Sequence, residues 1–417
     1  MQKREFIKSS LALGLGAFPF LNALSENLAG KSTLSLASDD QMWQEIRKQY
    51  LLKTEYINLE NGYYSMLPEP LLEWYIGFVR LINKEASYYM RTQQDVDKKR
   101  ITDRLAEFID CEVSEVAITR NTTESLDLII AGYPWESGDE AIMAEQDYGS
   151  MLDMFKLQGK LKGVVSKKIM LPNNPSSDEE IVALYKAAIT PKTKLIMVCH
   201  MVNITGQILP VRKICDMAHA NGVEVMVDGA HSLAHIPTTM KDLDCDYYGS
   251  SLHKWLSAPL GTGLLYIKKD KIAKISPLFA EEEKPENDIK RLNHTGTTPV
   301  HAILGIETAL DYLNVIRLDR KTERLRYVQH YWSDQIRDDQ RFELNTPTDS
   351  ARSCGIANVG VRGMEPNELS KRLLNDHGIW TVAINRPGVK GCRITPNIYT
   401  SEQELNQFVD ALHKIAG

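Results

Sequence analysis

Tyr247-Tyr-Gly-Ser-Ser-Leu-His-Lys-Trp-Leu-Ser-Ala-Pro-Leu-Gly-Thr-Gly-Leu-Leu-Tyr266 is the stretch on which the reading of this chain turns. Tyr247 to Ser250 reads as a strand, and a second strand runs from Gly263 to Ile267. Between them Lys254 stands directly after His253, where a strand ends and a Gly-rich turn begins. Most lysines are solvated surface charges. An amine that can be neutral and is held near a carbonyl is instead what imine-forming chemistry requires.

Working outward, Val116 to Thr119, Glu140 to Ala144, Lys194 to Cys199 and Val223 to Asp228 predict strands. Thr122 to Ala131 and Val211 to Asn221 predict helices, the second stopped by Gly222. Strands alternating with helices imply an α/β fold with a largely parallel sheet, whose ligands bind beyond the carboxyl ends of the strands. Asn121, Thr122, Thr123, His200, Asn203, Asp228, His231, Ser251, His253 and Lys254 all fall there. A sheet that served only as scaffold would not need so many polar groups. Asp228 suits a partner for a pyridinium nitrogen, and an Asp at such a turn is also a common helix N-cap. Further on, Ala280 to Asn293 reads as a loop or hinge and Thr308 to Gln340 as a long helical stretch. Phe342 to Gly417 reads as a smaller α+β unit ending in a helix from Glu402 to Ala416.

The 417 residues suffice for two or three structural units, and 43% hydrophobic with 25% charged residues is ordinary for a globular chain. A net charge of -6 without a basic stripe argues against nucleic acid as a partner. The six cysteines form no CxxC pair, which argues against a zinc site; Cys199 and Cys392 read as buried strand thiols. The first residues differ from the rest. Lys3, Arg4 and Lys8 precede a nearly uncharged run from Leu11 to Leu24 that Gly14, Gly16 and Pro19 interrupt. That pattern predicts an export signal over residues 1–30, too short and broken to span a membrane. Lys3-Arg4-Glu5-Phe6-Ile7-Lys8 resembles a twin-arginine signal with lysine in place of the first arginine, which implies a periplasmic protein. An amphipathic N-terminal helix on a cytoplasmic protein is the alternative. Ser32 to Asp40 reads as a polar linker, and no membrane span is expected in the mature protein.

Asp228-Gly-Ala-His231, Ser251-Leu-His-Lys254-Trp and Gly261-Thr-Gly263 together resemble the class V aminotransferase family. That family includes cysteine desulfurases, selenocysteine lyases and isopenicillin N epimerase-like proteins. The resemblance runs from about Tyr56 to the C-terminus and is greatest to the epimerase-like branch. It implies the fold of type I enzymes dependent on pyridoxal 5'-phosphate (PLP), with a large domain over 65–300 and a small one over 301–417. Residues 31–64 would pack with the small domain. It implies that Lys254 holds the cofactor as a Schiff base and that Asp228 pairs with the ring nitrogen. His231 and Asn203 would approach the phenolic oxygen, and Tyr148 would stack on the ring. Thr122, Thr123, Ser251 and His253 would hold the phosphate at a helix N-terminus. Thr297 would reach the phosphate of a partner subunit, which implies a homodimer with shared sites. Arg393 would grip a substrate carboxylate, and Asn61 and Tyr63 would line the substrate pocket.

The resemblance implies an enzyme acting at the α-carbon of an amino acid or a peptide-borne amine, by transamination, epimerisation or C–S cleavage. Exported relatives that tailor the glutamyl group of a siderophore are one such case. The loop before Arg393, Ala383 to Lys390, lacks the cysteine that a desulfurase uses, so persulfide chemistry is not expected. A catalytically silent ligand sensor or assembly partner would not need Lys254, Asp228 and Arg393 together.

Overall fold

The protein is described from a computed structural model covering residues 32–279, 281 and 283–417. The expected export signal lies outside these residues. Thirteen strands occur among them: β1 (Ile57–Asn58), β2 (Val116–Thr119), β3 (Glu140–Ala144), β4 (Val165–Ile169), β5 (Thr193–Cys199), β6 (Glu224–Asp228), β7 (Tyr247–Ser251), β8 (Gly263–Ile267), β9 (Phe342–Leu344), β10 (Ala357–Val361), β11 (Ile379–Trp380), β12 (Val382–Arg386) and β13 (Val389–Ile394).

Seven strands form the main sheet in the order β2-β8-β7-β6-β5-β3-β4. Neighbours from β7 to β4 are parallel, and β8 alone runs antiparallel, to both β7 and β2. The carboxyl ends of the other six therefore lie along one edge. Alternation along the strands explains why both faces are covered. Ile196, Val198, Val225 and Val227 join one apolar cluster, while Leu195, Met197 and Met226 join the other. Helices Thr122–Gly132 and Gly149–Lys162 cover the second face with Leu126, Ile129, Met151 and Phe155. Helices Gln94–Phe108, Asp178–Ala188, Val211–His219 and Val300–Ile316 cover the first. Such two-sided burial is what parallel strands require.

A four-stranded antiparallel sheet, β12-β13-β10-β9, forms the C-terminal unit. Helices Leu318–Ser333, Pro366–His377 and Glu402–Ala416 pack on it through Trp332, Leu373 and Phe408. β1 pairs in parallel with β11, which ties the N-terminal segment to this unit.

Three expectations need correction. Ser32 to Asp40 is not an open linker: Thr33–Ala37 is a helix capped by Ser32, with Leu36 buried. Buried Arg324 donates to the Ala37 carbonyl, and Trp43 Nε1 donates to that of Leu36. The long stretch from Thr308 is two helices, Val300–Ile316 and Leu318–Ser333, because the backbone leaves the helical region at Arg317 (φ 70°). Ala383 to Lys390 is a hairpin rather than a loop, with β12 and β13 joined through Pro387 and Gly388 (φ 73°). No described helix is long and apolar enough to cross a membrane.

Gly229 shows how tightly the strand ends are packed. A Cβ there would lie 2.0 Å from Cζ of Tyr248. Gly229→Ala should cost about 1–3 kcal/mol in urea unfolding by overpacking next to Asp228, and a wild-type midpoint would contradict this contact.

Candidate active site

The turn that carries Lys254 is closed by its own backbone. Leu252 N–H donates to Thr262 O, Ala258 N–H to Leu252 O, and Ser257 N–H to Lys254 O. Ser257 takes a left-handed conformation (φ 58°) to complete it. The half-buried Lys254 side chain meets His231 beyond β6, with Nζ 3.2 Å from His231 Nε2. Burial pushes the Lys254 amine down to about 8, against the opposing pull of Asp228.

Asp228 is the last residue of β6 and is buried. Its Oδ1 accepts from Ala230 N–H at 2.9 Å, which closes a turn; no helix begins there, so Asp228 is not a helix N-cap, and its charge acts on Lys254. Burial raises its pKa above the ordinary carboxylate value, while the Ala230 N–H and Lys254 act in the opposite direction. His231 is buried and held well below its ordinary value by desolvation and by the charges of Lys254 and Arg393. Both effects favour its neutral form.

Beyond β2, Asn121 caps helix Thr122–Gly132 by accepting from Glu124 N–H at 2.9 Å. Ser251 Oγ, at the end of β7, accepts from Thr122 N–H at 2.9 Å and lies 2.7 Å from Thr122 Oγ1. The first turn of this helix and the turn before Lys254 are thus one cluster. Gly263 permits it, since a Cβ there would lie 2.5 Å from Asn121 N. His253 is buried, with Nδ1 3.2 Å from Thr262 O, and burial pushes it down to about 4.

Arg393 on β13 approaches from the C-terminal unit. Its Nη1 donates to the Asn203 carbonyl at 3.2 Å. Nε and Nη2 donate to the two carboxylate oxygens of Glu60 at 3.0 and 2.5 Å, and both side chains are buried. Glu60 also accepts from Tyr63 N–H at 3.0 Å.

A family model described as aminotransferase class-V matches residues 65–405. The chain belongs to the class-V aminotransferase family. It is 26% identical over 392 residues to isopenicillin N epimerase of Streptomyces clavuligerus, covering 90% of this chain and 98% of that one. It is 26% identical over 387 residues to a cysteine desulfurase of Haloferax volcanii, covering 86% and 89%. A solved C-DES variant with glycine covalently linked to its PLP cofactor superposes with a TM-score of 0.77 at 21% identity, covering 88% of this chain and 98% of that one. The class-V architecture is the PLP-dependent type I fold, and the protein is an enzyme of that family with PLP as its cofactor.

The residues fit that cofactor. Asn203 has a buried side-chain oxygen position without a hydrogen-bond partner, at the same strand edge as Lys254. His200 Nδ1 there is likewise buried and unpartnered. The edge thus offers an amine, a carboxylate, an amide oxygen free to accept from a phenolic O–H, and a helix N-terminus, which an aldehyde, a pyridinium, a phenol and a phosphate can use.

Tyr148 is 45% exposed at the start of helix Gly149–Lys162, with its ring uncommitted to the core. Thr123 is half-buried in the first turn of its helix. Three positions stand apart. Asn61 is fully buried, and its carboxamide is used by Asn58, Thr395 and Tyr399, so it braces the segment instead of facing a substrate. Tyr63 is 73% exposed and contributes its backbone N–H to Glu60. Thr297 is exposed before helix Val300–Ile316, with no hydrogen bond to the Lys254 cluster among the described residues.

Sequence reasoning gave no role to Glu60 or to Trp255. Glu60 meets Arg393 only because residue 60 bridges Thr395 across the chain, a pairing that no local pattern encodes. Trp255 sits inside the quoted motif, and its indole as a lone hydrogen-bond donor was the available signal.

Glu60→Ala would leave Arg393 a buried cation without its carboxylate. It should cost about 3–5 kcal/mol in urea unfolding, and a loss below 1 kcal/mol, on the order of a surface pair, would contradict the buried pairing. Cofactor capture by Lys254 would need its unprotonated amine. Its stopped-flow rate should rise with pH through about 8 and then level off. A rate still climbing toward the ordinary lysine value would contradict the burial effect.

Proposed function

We propose that this enzyme removes and returns the α-proton of an amino acid or of the amino-acyl group of a peptide-borne amine, with Lys254 as the base. The observation that carries this reading is the Lys254 amine, 3.2 Å from His231 Nε2 at the strand edge and lowered by burial against the pull of the Asp228 charge. PLP, when bound, supplies the sink for the electron pair left at the α-carbon. Asp228 would hold the ring nitrogen protonated. Asn203 and His231 would hydrogen-bond the phenolic oxygen, and Thr122, Thr123, Ser251 and His253 would surround the phosphate. Arg393 keeps N–H groups beyond those given to Glu60 and Asn203, and these would orient the substrate's carboxyl or acyl oxygen.

Persulfide chemistry finds no support in the thiols. Cys392 is buried on β13 with its thiol pushed up to about 12, and Cys354 is equally buried with its thiol pushed up to about 12. Cys199 is raised well above its ordinary value by burial and by Asp228. Partly buried Cys111 is also raised, to about 12. Epimerisation, transamination and C–S lysis share the α-proton step, and the similarity to isopenicillin N epimerase favours epimerisation among them.

The basic start and short apolar run of residues 1–24 support export to the periplasm, where a siderophore glutamyl group would be one peptide-borne substrate. The resemblance of His294-Thr-Gly-Thr297 to the family's motif supports a homodimer in which each subunit completes the other's phosphate site.

A panel of amino acids and amino-acid amides incubated in deuterium oxide should gain one α-deuterium with the wild-type enzyme, read by mass spectrometry. Lys254→Ala should reduce that exchange by at least about 10²-fold. Exchange at the wild-type rate in the variant would remove Lys254 from the reaction.

A further inference from the structure

Trp255 follows Lys254 and is wholly buried. Its indole Nε1–H can only donate, and it donates to Nδ1 of His231 at 3.2 Å. A neutral imidazole carries one ring hydrogen, so with Nδ1 accepting, that hydrogen sits on Nε2. Nε2 is the atom that faces Lys254 Nζ. The donor direction thus runs from Trp255 through His231 to Lys254. A protonated lysine has no lone pair to receive it, so the arrangement suits a neutral nitrogen.

Both rings are held from outside. His235 lies against Trp255 with centroids 3.7 Å apart, and Lys321 Nζ donates to the Trp255 carbonyl. Gly355 N–H donates to His235 Nε2 at 2.9 Å, which leaves the hydrogen on Nδ1 to donate to the His231 carbonyl at 2.9 Å. His231 is therefore oriented at its ring by Trp255 and at its backbone by His235. The other charged and titratable groups acting on the His231–Lys254 pair are Asp228, Arg393, Glu60, Cys199 and His253.

We propose that Trp255 is a positioning residue that locks His231 in the Nε2–H tautomer, so that a neutral donor faces the lysine–cofactor linkage and favours its unprotonated form. This rests on the reading of Lys254 as the cofactor-bearing amine. Without Trp255 the hydrogen is free to move to Nδ1. Nε2 would then accept, and would stabilise a proton on the linkage.

Two measurements on the full-length holoprotein test this. Nitrogen-15 histidine spectra report the tautomer directly, with His231 assigned by its absence in His231→Gln. Wild type should show Nε2–H, and an Nδ1–H wild-type signal overturns the proposal without any need for a Trp255 variant. Absorbance titration of the lysine–cofactor band should move to higher pH by about one pH unit in Trp255→Phe, the scale expected for one hydrogen bond. In a His231→Gln background, where an amide donates without a tautomer, Trp255→Phe should add no further shift. An unchanged midpoint in Trp255→Phe, or an equal shift in both backgrounds, overturns the lock. A cofactor band that never forms in wild type overturns the Lys254 reading itself, while the histidine spectra still report on the tautomer.

Discussion

Desolvation of a single amine at the carboxyl edge of the main sheet is the constraint around which the rest of this protein is arranged. In water the Lys254 amine would be protonated and unreactive at neutral pH. Placed after β7 in a turn closed by its own backbone, it loses hydration and comes down to about 8. Asp228 opposes that fall and keeps the cost of burial bounded, while His231, itself neutral, adds no charge to the pocket. The antiparallel insertion of β8 serves the same end. It lets β2 run in the direction of β7, so that a helix N-terminus and the lysine turn meet through Ser251 and Thr122.

The C-terminal unit is joined to this edge through a buried ion pair. Glu60 belongs to the N-terminal segment and Arg393 to β13, yet the pair sits against Asn203 at the end of β5. A buried pair of this kind adds little net stability, but loss of one partner is costly, so the pair specifies how the three parts fit together. It also makes the pocket's principal cation a partly committed one. Asn61, consumed by bonds to Thr395 and Tyr399, holds the segment in which Glu60 is presented.

The architecture was legible in the chain because the strands of the main sheet are short apolar runs separated by amphipathic stretches, and period-two alternation places their side chains on two faces. The polar residues just past those strands could be found the same way. What escaped was tertiary. Glu60 and Asn61 are adjacent in sequence and polar alike, and only the bridge to Thr395 decides that one faces the arginine and the other the core. The helix at Thr33–Ala37 looked like a linker because its burial depends on Arg324, nearly three hundred residues away. The break at Arg317 carries neither Gly nor Pro, so helical periodicity ran through it unmarked.

The decisive atom in this protein is the one that carries the cofactor. Borohydride reduction of the native, PLP-supplied protein, followed by proteolysis and mass spectrometry, reads this directly. A pyridoxyl group fixed to the peptide at Lys254 is the expected result. A native protein that takes up PLP but yields a modified peptide elsewhere, or none, contradicts it.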